Sequence, residues 1–538
     1  MDKQLKKIYL YMGIFVAIIF IGATYAFFTA GMSSENSTTV RADAGTMKIT
    51  YDGGANINLA GIYPKDDVWA TKTITVTGNN TTDAEMYYKL TLVVDSNTFK
   101  TDDPLQYELL STNTSTNGKV VPAISKKYIT GTSIRLGKGH FIKANNAKHT
   151  YLLKIYYPKK TTSQNTNQGA IFSAHVEITS AKAPTVSNLA ETILAKNEVK
   201  TPITTPGAAI STADEALLAS AEDDYGTSYY FRGAVKNNYV EFANKCWRIV
   251  RVGGDGSVKL ILHNDNKAGV ANPCDAANNS ASAAFARYSD ETYKSAFNTK
   301  YYDNTYVGFM YGTITECENH PEITEEHYCE WCGFTLSNST SYATAHANTN
   351  KSTILNNLET WYNNSLKAYE NVIADTVWCT DKTNVTDTTY DPWSITPNGL
   401  GYAKNVTYYG ATQRLVSTSG SAGGTGPSLK CNGELSKINS KVGLITADEL
   451  AYAGYARRIQ NTTTYLQENA TEEDTLWWSL SPYFFDGSYA YAWFVGGGDG
   501  DFSGATVNIV GGVRPSISLK PSTNVTGEGT SEDPYVVD

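Results

Sequence analysis

A chain of 538 residues exceeds what one hydrophobic core serves, so two or more domains are expected. Only 18% of residues are charged, beside 43 Gly and 37 Tyr, a composition suited to β-rich domains with polar loops. The net charge is −9 and no Lys/Arg cluster occurs beyond the N-terminus, which excludes nucleic acid and acidic polymers as favoured partners.

Lys3, Lys6 and Lys7 precede an uncharged, mostly apolar run from Ile8 to Ala30. About 20 apolar residues cross a bilayer as a helix, and flanking lysines hold that end in the cytoplasm. Residues 1–30 therefore read as a signal or membrane-anchor helix, with everything after them exported. Thr24 and Ala26 would let a signal peptidase cut before Phe27, so an uncleaved anchor and a removed signal both stand. Gly529 to Asp538 carries no sorting motif or apolar tail, so anchoring is expected to depend on the N-terminus.

Residues 40–182 contain no Cys and alternate as half-buried strands do. In the clearest case Phe172, Ala174, Val176 and Ile178 share one face, with Ser173, His175, Glu177 and Thr179 on the other. Turn residues such as Asp52–Gly53–Gly54 and Gly78–Asn79–Asn80 divide the strands. An antiparallel sandwich buries one face of so many strands. His140, His149 and His175 are scattered and read as surface histidines rather than ligands.

Gly22–Ala23–Thr24–Tyr25–Ala26–Phe27–Phe28, Ala44–Gly45–Thr46–Met47–Lys48–Ile49 and Tyr63–Pro64–Lys65–Asp66 before Ile74–Thr75–Val76 carry a resemblance. Over residues 20–180 the chain resembles the TasA/camelysin group of Gram-positive surface and biofilm-matrix proteins. The resemblance implies a jelly-roll-like sandwich, removal of the signal by a dedicated peptidase, and self-assembly into fibres by strand donation. It brings no catalytic site, because no His-Glu-x-x-His or similar spacing occurs here.

Residues 183–225 are rich in Ala, Thr and Pro and read as a mobile linker with one helical piece, Asn188 to Lys196. A second folded unit opens near Tyr229. Trp247–Val252 and Val258–His263 flank Gly253–Gly254–Asp255–Gly256–Ser257 and predict a β-hairpin; these glycines lead to a strand, so they form no phosphate loop. Apolar spacing predicts a helix over Thr353–Asp375, and Thr446–Ala447–Asp448–Glu449 predicts a capping box opening a helix through Ala456. Strands return at Ala490–Val495, Ala505–Val510 and Gly512–Leu519.

Trp477–Trp478–Ser479–Leu480–Ser481–Pro482, Phe494–Val495 and Gly512–Val513–Arg514–Pro515–Ser516–Ile517–Ser518–Leu519 resemble a C-terminal module of exported Firmicutes proteins, similar to C-type-lectin-like and sulfatase-modifying-factor folds. The resemblance implies an α+β domain over 226–520, followed by a tail, 521–538. Trp477, Trp478 and Arg514 read as core and strand-end scaffold before ligand contacts.

All seven cysteines follow residue 245, in what should be an oxidising compartment. Cys246–Cys274 and Cys379–Cys431 are the expected disulfides. In the polar insert 315–340, Cys317–x2–His320 and Cys329–x2–Cys332 stand at tetrahedral zinc spacing. A structural zinc would organise so polar a loop; one disulfide plus a free thiol is the alternative. Four ligands leave no open position for catalysis. Asp499–Gly500–Asp501–Phe502–Ser503 starts like a calcium loop, but Val510 stands where the bidentate Glu belongs, so a plain turn fits better.

No serine elbow, Walker loop or paired acid/base carboxylates stand out, and no Cys follows Cys431 for formylglycine-type oxidation. The leading expectation is a surface protein presenting a module that captures a glycan or protein. A fibre subunit is the second reading, and a sulfatase-modifying-type enzyme the third.

Overall fold

The computed structural model describes residues 38–41, 47–80, 85–100, 103–113, 117–129, 132–181, 187–207, 215–270, 272–289, 291–314 and 338–537. The expected N-terminal helix 1–30 and the cysteines and histidine of the insert lie outside the described residues. Among those described, no helix is long and apolar enough to cross a membrane. The chain divides into two compact units, 1–185 and 186–538, and among the described residues strand exceeds helix in both.

The first unit contains β1 (Thr38–Arg41), β2 (Met47–Asp52), β3 (Ile57–Ala60), β4 (Val68–Asn80), β5 (Met86–Asn97) and β6 (Gln106–Ser111), then β7 (Gly118–Lys119), β8 (Ile124–Tyr128), β9 (Ser133–Phe141), β10 (Ala144–Tyr156) and β11 (Ile171–Ala181). One sheet has the order β1-β2-β4-β10-β6-β8 and the other β3-β11-β5-β9-β7, every pairing antiparallel. Alternation decides the burial. Ile74, Val76, Tyr151, Leu153 and Ile155 from the first sheet meet Leu90, Leu92, Phe172, Ala174 and Val176 from the second in one core.

His149 departs from its surface assignment. It stands at period two with Tyr151 and Leu153, so β10 turns it into the core, where it is fully buried. Its Nδ1 lies 2.6 Å from the Tyr88 hydroxyl, which itself lies 2.5 Å from that of Tyr151. Burial, and secondarily His140, lowers the imidazole to about 4.

In the second unit a nine-stranded sheet orders Ser187–Asn188, Asn524–Thr526, Tyr535–Val537, Tyr239–Phe242, Lys245–Val252, Thr227–Gly233 and Ala216–Glu222. Val258–Asn264 joins it beside Lys245–Val252, and Ser516–Leu519 beside Val258–Asn264. A six-stranded sheet centres on Leu476–Phe485. The hairpin forms as expected, with Gly253 N–H donating to the Ser257 carbonyl at 2.8 Å and Gly256 at φ 80°.

Two stretches are more ordered than their composition suggests. The supposed linker 183–225 carries the helix Leu189–Lys196, capped by Asn188, whose Leu189 and Ile193 are buried in the unit's core. Ala216–Glu222 pairs along Thr227–Gly233. The supposed tail 521–538 contributes Asn524–Thr526 and Tyr535–Val537, and Tyr535 is buried. Ser187–Asn188 and Tyr535–Val537 attach through partners hundreds of residues away, which a local pattern does not display. The helix from Thr353 stops at Ser365, and Leu366 and Ile373 are buried in the irregular chain that follows.

Candidate functional site: a charged cleft

The second unit holds a cleft of about 400 Å³ whose floor is a set of ion pairs. Its organiser is the short helix Ala447–Ala453. The Thr446 hydroxyl accepts from Glu449 N–H at 3.0 Å, and Glu449 Oε2 accepts from Thr446 N–H at 2.9 Å. This reciprocal cap satisfies two otherwise orphaned donors and fixes the Glu449 rotamer.

The other oxygen, Oε1, then accepts from Arg251 Nε at 2.9 Å and Lys259 Nζ at 2.7 Å. Arg251 and Lys259 are paired across the hairpin, so the strand register brings their cations to one carboxylate. Arg251 Nη1 also donates to Asp223 Oδ2 at 3.0 Å. Burial alone would raise the Glu449 carboxyl, but Lys259 and Arg251 outweigh it and hold it at about 2. Burial moves the Lys259 ammonium down despite Glu449.

Beside this triad, Arg414 grips Asp448 with two bonds of 2.7 Å and lies 2.6 Å from Asp381. Bidentate geometry fixes both side chains. Gly410 makes the approach of Asp381 feasible, since a Cβ there would stand 2.7 Å from its Oδ2. The floor thus carries Asp223, Asp381, Asp448 and Glu449 against Arg251, Lys259 and Arg414. At the rim Asp224, Asp255 and Asp375 face Lys430 and Lys437, leaving an excess of two negative charges. Rigid donors and acceptors with a negative balance suit a neutral hydroxyl-rich or a cationic ligand better than an anion.

Both expected disulfides are present. Cys379–Cys431 is half-buried in the cleft wall and closes a separation of 52 residues; Cys246–Cys274 is buried. Trp477, Trp478 and Arg514 are at most 1% exposed, which removes them as surface ligand contacts. The strand Leu476–Phe485 pairs on both sides and is buried on both faces, so even consecutive tryptophans enter the core. Asp499 Oδ1 accepts from Asp501 N–H at 2.9 Å and Oδ2 from Gln460 at 3.2 Å, as in a plain turn. The quartet Cys317, His320, Cys329 and Cys332 lies outside the described residues. Among the described residues, no three His, Cys, Asp or Glu side chains gather as a metal site would require.

The reading of the sequence overlooked the cleft itself. Its signals were charges set into apolar strands, Arg251 in Trp247–Val252 and Lys259 in Val258–His263, together with the doublet Asp448–Glu449 inside the capping box. Compared with family models and with curated proteins, the chain matches none.

Proposed function

We propose that this chain is an exported cell-surface binding protein, with the second unit as ligand-binding module and the first as its stalk. The carrying observation is the charged cleft, whose floor is pre-organised by the Glu449 cap and the Arg414–Asp448 fork before any ligand arrives. Burying three cations costs desolvation energy that a scaffold alone would avoid, so their concentration around one opening points to recognition. In this reading the first unit is a jelly-roll-like sandwich of the TasA/camelysin kind and the second a C-type-lectin-like α+β module. Two disulfides fit an oxidising exterior.

The ligand is a neutral glycan or a basic protein segment. The test is binding of the whole exported chain to glycan and peptide arrays, alongside Val377→Trp. Val377 lines the cleft without joining its ion pairs. The substitution is expected to weaken binding about tenfold or more, roughly 1.4 kcal/mol. Unchanged binding would move the site elsewhere. The insert residues Cys317, His320, Cys329 and Cys332 are assigned a structural zinc in the same reading; Cys332→Ser should then lower bound zinc from about one ion per chain to none.

A second reading, a fibre subunit, draws on β1, the first described strand after the apolar run and an edge of its sheet. Mass spectrometry of the mature N-terminus separates the two: Met1 means a tethered receptor, Phe27 a released subunit.

A further inference from the structure

Arg514 is a buried cation with no carboxylate partner among the described residues. Its Nε donates to the Leu262 carbonyl at 3.0 Å and its Nη1 to the Leu466 carbonyl, while the guanidinium lies 4.8 Å over the Trp477 ring. A second buried arginine, Arg248, feels its field and is paired with Glu468 at 2.7 Å. Lys236 bonds the same Glu468, also at 2.7 Å. Two cations therefore share one carboxylate, and Arg514 beside them has none within pairing distance among the described residues.

Four polar atoms in this neighbourhood are buried with no protein partner among the described residues: Arg514 Nη2, Trp477 Nε1, Tyr465 Oη and His263 Nδ1. The side chains carrying them are each at most 1% exposed, and both Tyr465 and His263 lie within the electrostatic reach of Arg514 and Arg248. Their chemistry has one sign. The guanidinium, indole and phenol present N–H or O–H. His263 Nε2 faces the Asn469 amide nitrogen at 3.3 Å, and that amide's oxygen accepts from Ser280 N–H at 3.1 Å. The two hydrogens of that amide go to the His263 carbonyl and Asn279 Oδ1, both at 3.0 Å, and its nitrogen accepts nothing; a proton on Nε2 would face this second donor, so the neutral ring carries its proton on Nδ1. Burial and then the two arginines keep this imidazole neutral. All four are donors.

Buried donors without acceptors keep the full cost of leaving water. Water would satisfy them poorly, because each molecule accepts about two bonds and brings two donors of its own. We propose that the core of the second unit holds a monatomic inorganic anion of halide size, bound by Arg514 with Trp477, Tyr465 and His263. Its role is structural: it supplies the negative charge that Glu468 alone does not, and it fastens Arg514 between the strand Val258–Asn264 and the Leu466 segment.

The test uses the whole chain in two measurements. Crystals grown in bromide should show an anomalous peak within hydrogen-bond reach of Arg514 Nη2. Thermal unfolding in sodium chloride, against sodium gluconate at equal ionic strength, should show Tm higher by about 2 °C or more. Trp477→Phe keeps the ring beneath the guanidinium and removes one donor, so it should shrink that halide-dependent rise. No bromide peak at Arg514, or a Tm indifferent to halide in the wild-type chain, would overturn the assignment.

Discussion

The two units solve burial differently. In the first, alternation separates apolar from polar faces, and a buried carboxylate, Asp103, is bound by Lys160, Tyr157, Gln164 and Asn167. In the second, Arg232, Arg248 and Arg514 rank among the largest fully buried side chains beside six tryptophans, and Glu449 holds two more cations. A scaffold can be assembled from faces alone. Buried ion pairs seldom add net stability over apolar packing, and the site of the proposed recognition is where they concentrate.

Removing the hub of the charged region should break this contrast most severely. Glu449→Ala leaves Arg251 and Lys259 buried without their shared carboxylate, an expected loss of about 3–5 kcal/mol. Denaturant unfolding should show it in the second unit's transition and leave the first unit's midpoint in place. Next comes the covalent tie: replacing both Cys379 and Cys431 by Ser should cost the same unit about 2–4 kcal/mol, read as a lower Tm without added reductant.

Acid should then sharpen the comparison, because the two units fail in different windows. Glu449 is held at about 2 against 4.5 unfolded, so its stabilisation is complete above about pH 4.5 and is lost toward pH 2, on the order of 3 kcal/mol. Glu449→Gln should flatten that slope in pH-dependent unfolding. His149 is held at about 4 against 6.5, so the unfolded chain binds its proton more tightly. The first unit should therefore weaken earlier, as pH falls from about 6.5 to about 4, and His149→Phe should remove that dependence. The smallest effect belongs to the cap. Thr446→Ala should cost about 1 kcal/mol by calorimetry, because it orphans one backbone donor yet leaves the Glu449 pairs standing.

Much was legible where the determining interactions are local. Phe172, Ala174 and Val176 declare an inward face by period two, and the same rule applied to His149 would have placed it in the core. Trp247–Val252 and its Gly/Asp turn declare a hairpin. Thr446 and Glu449 declare a helix start, with both bonds formed. The two disulfides match the expected pairs, although seven cysteines leave many pairings open to the sequence.

The sequence by itself determined the hairpin, the cap and most strand faces, since each depends on residues close enough to interact before the fold is complete; the two cystines were expected from it, but their pairing was settled only by the fold. Tertiary structure decided the rest. Asn188 pairs with Asn524, and Val240 lies parallel to Tyr535, so segments composed like a linker and a tail became sheet. Asp223, Arg251, Asp381, Arg414 and Glu449 become one site only after the hairpin, the short helices and the Cys379 strand have packed. A charge in an isolated strand is as content in water as any other. Burial is what forces it to find a partner, and burial belongs to the assembled unit.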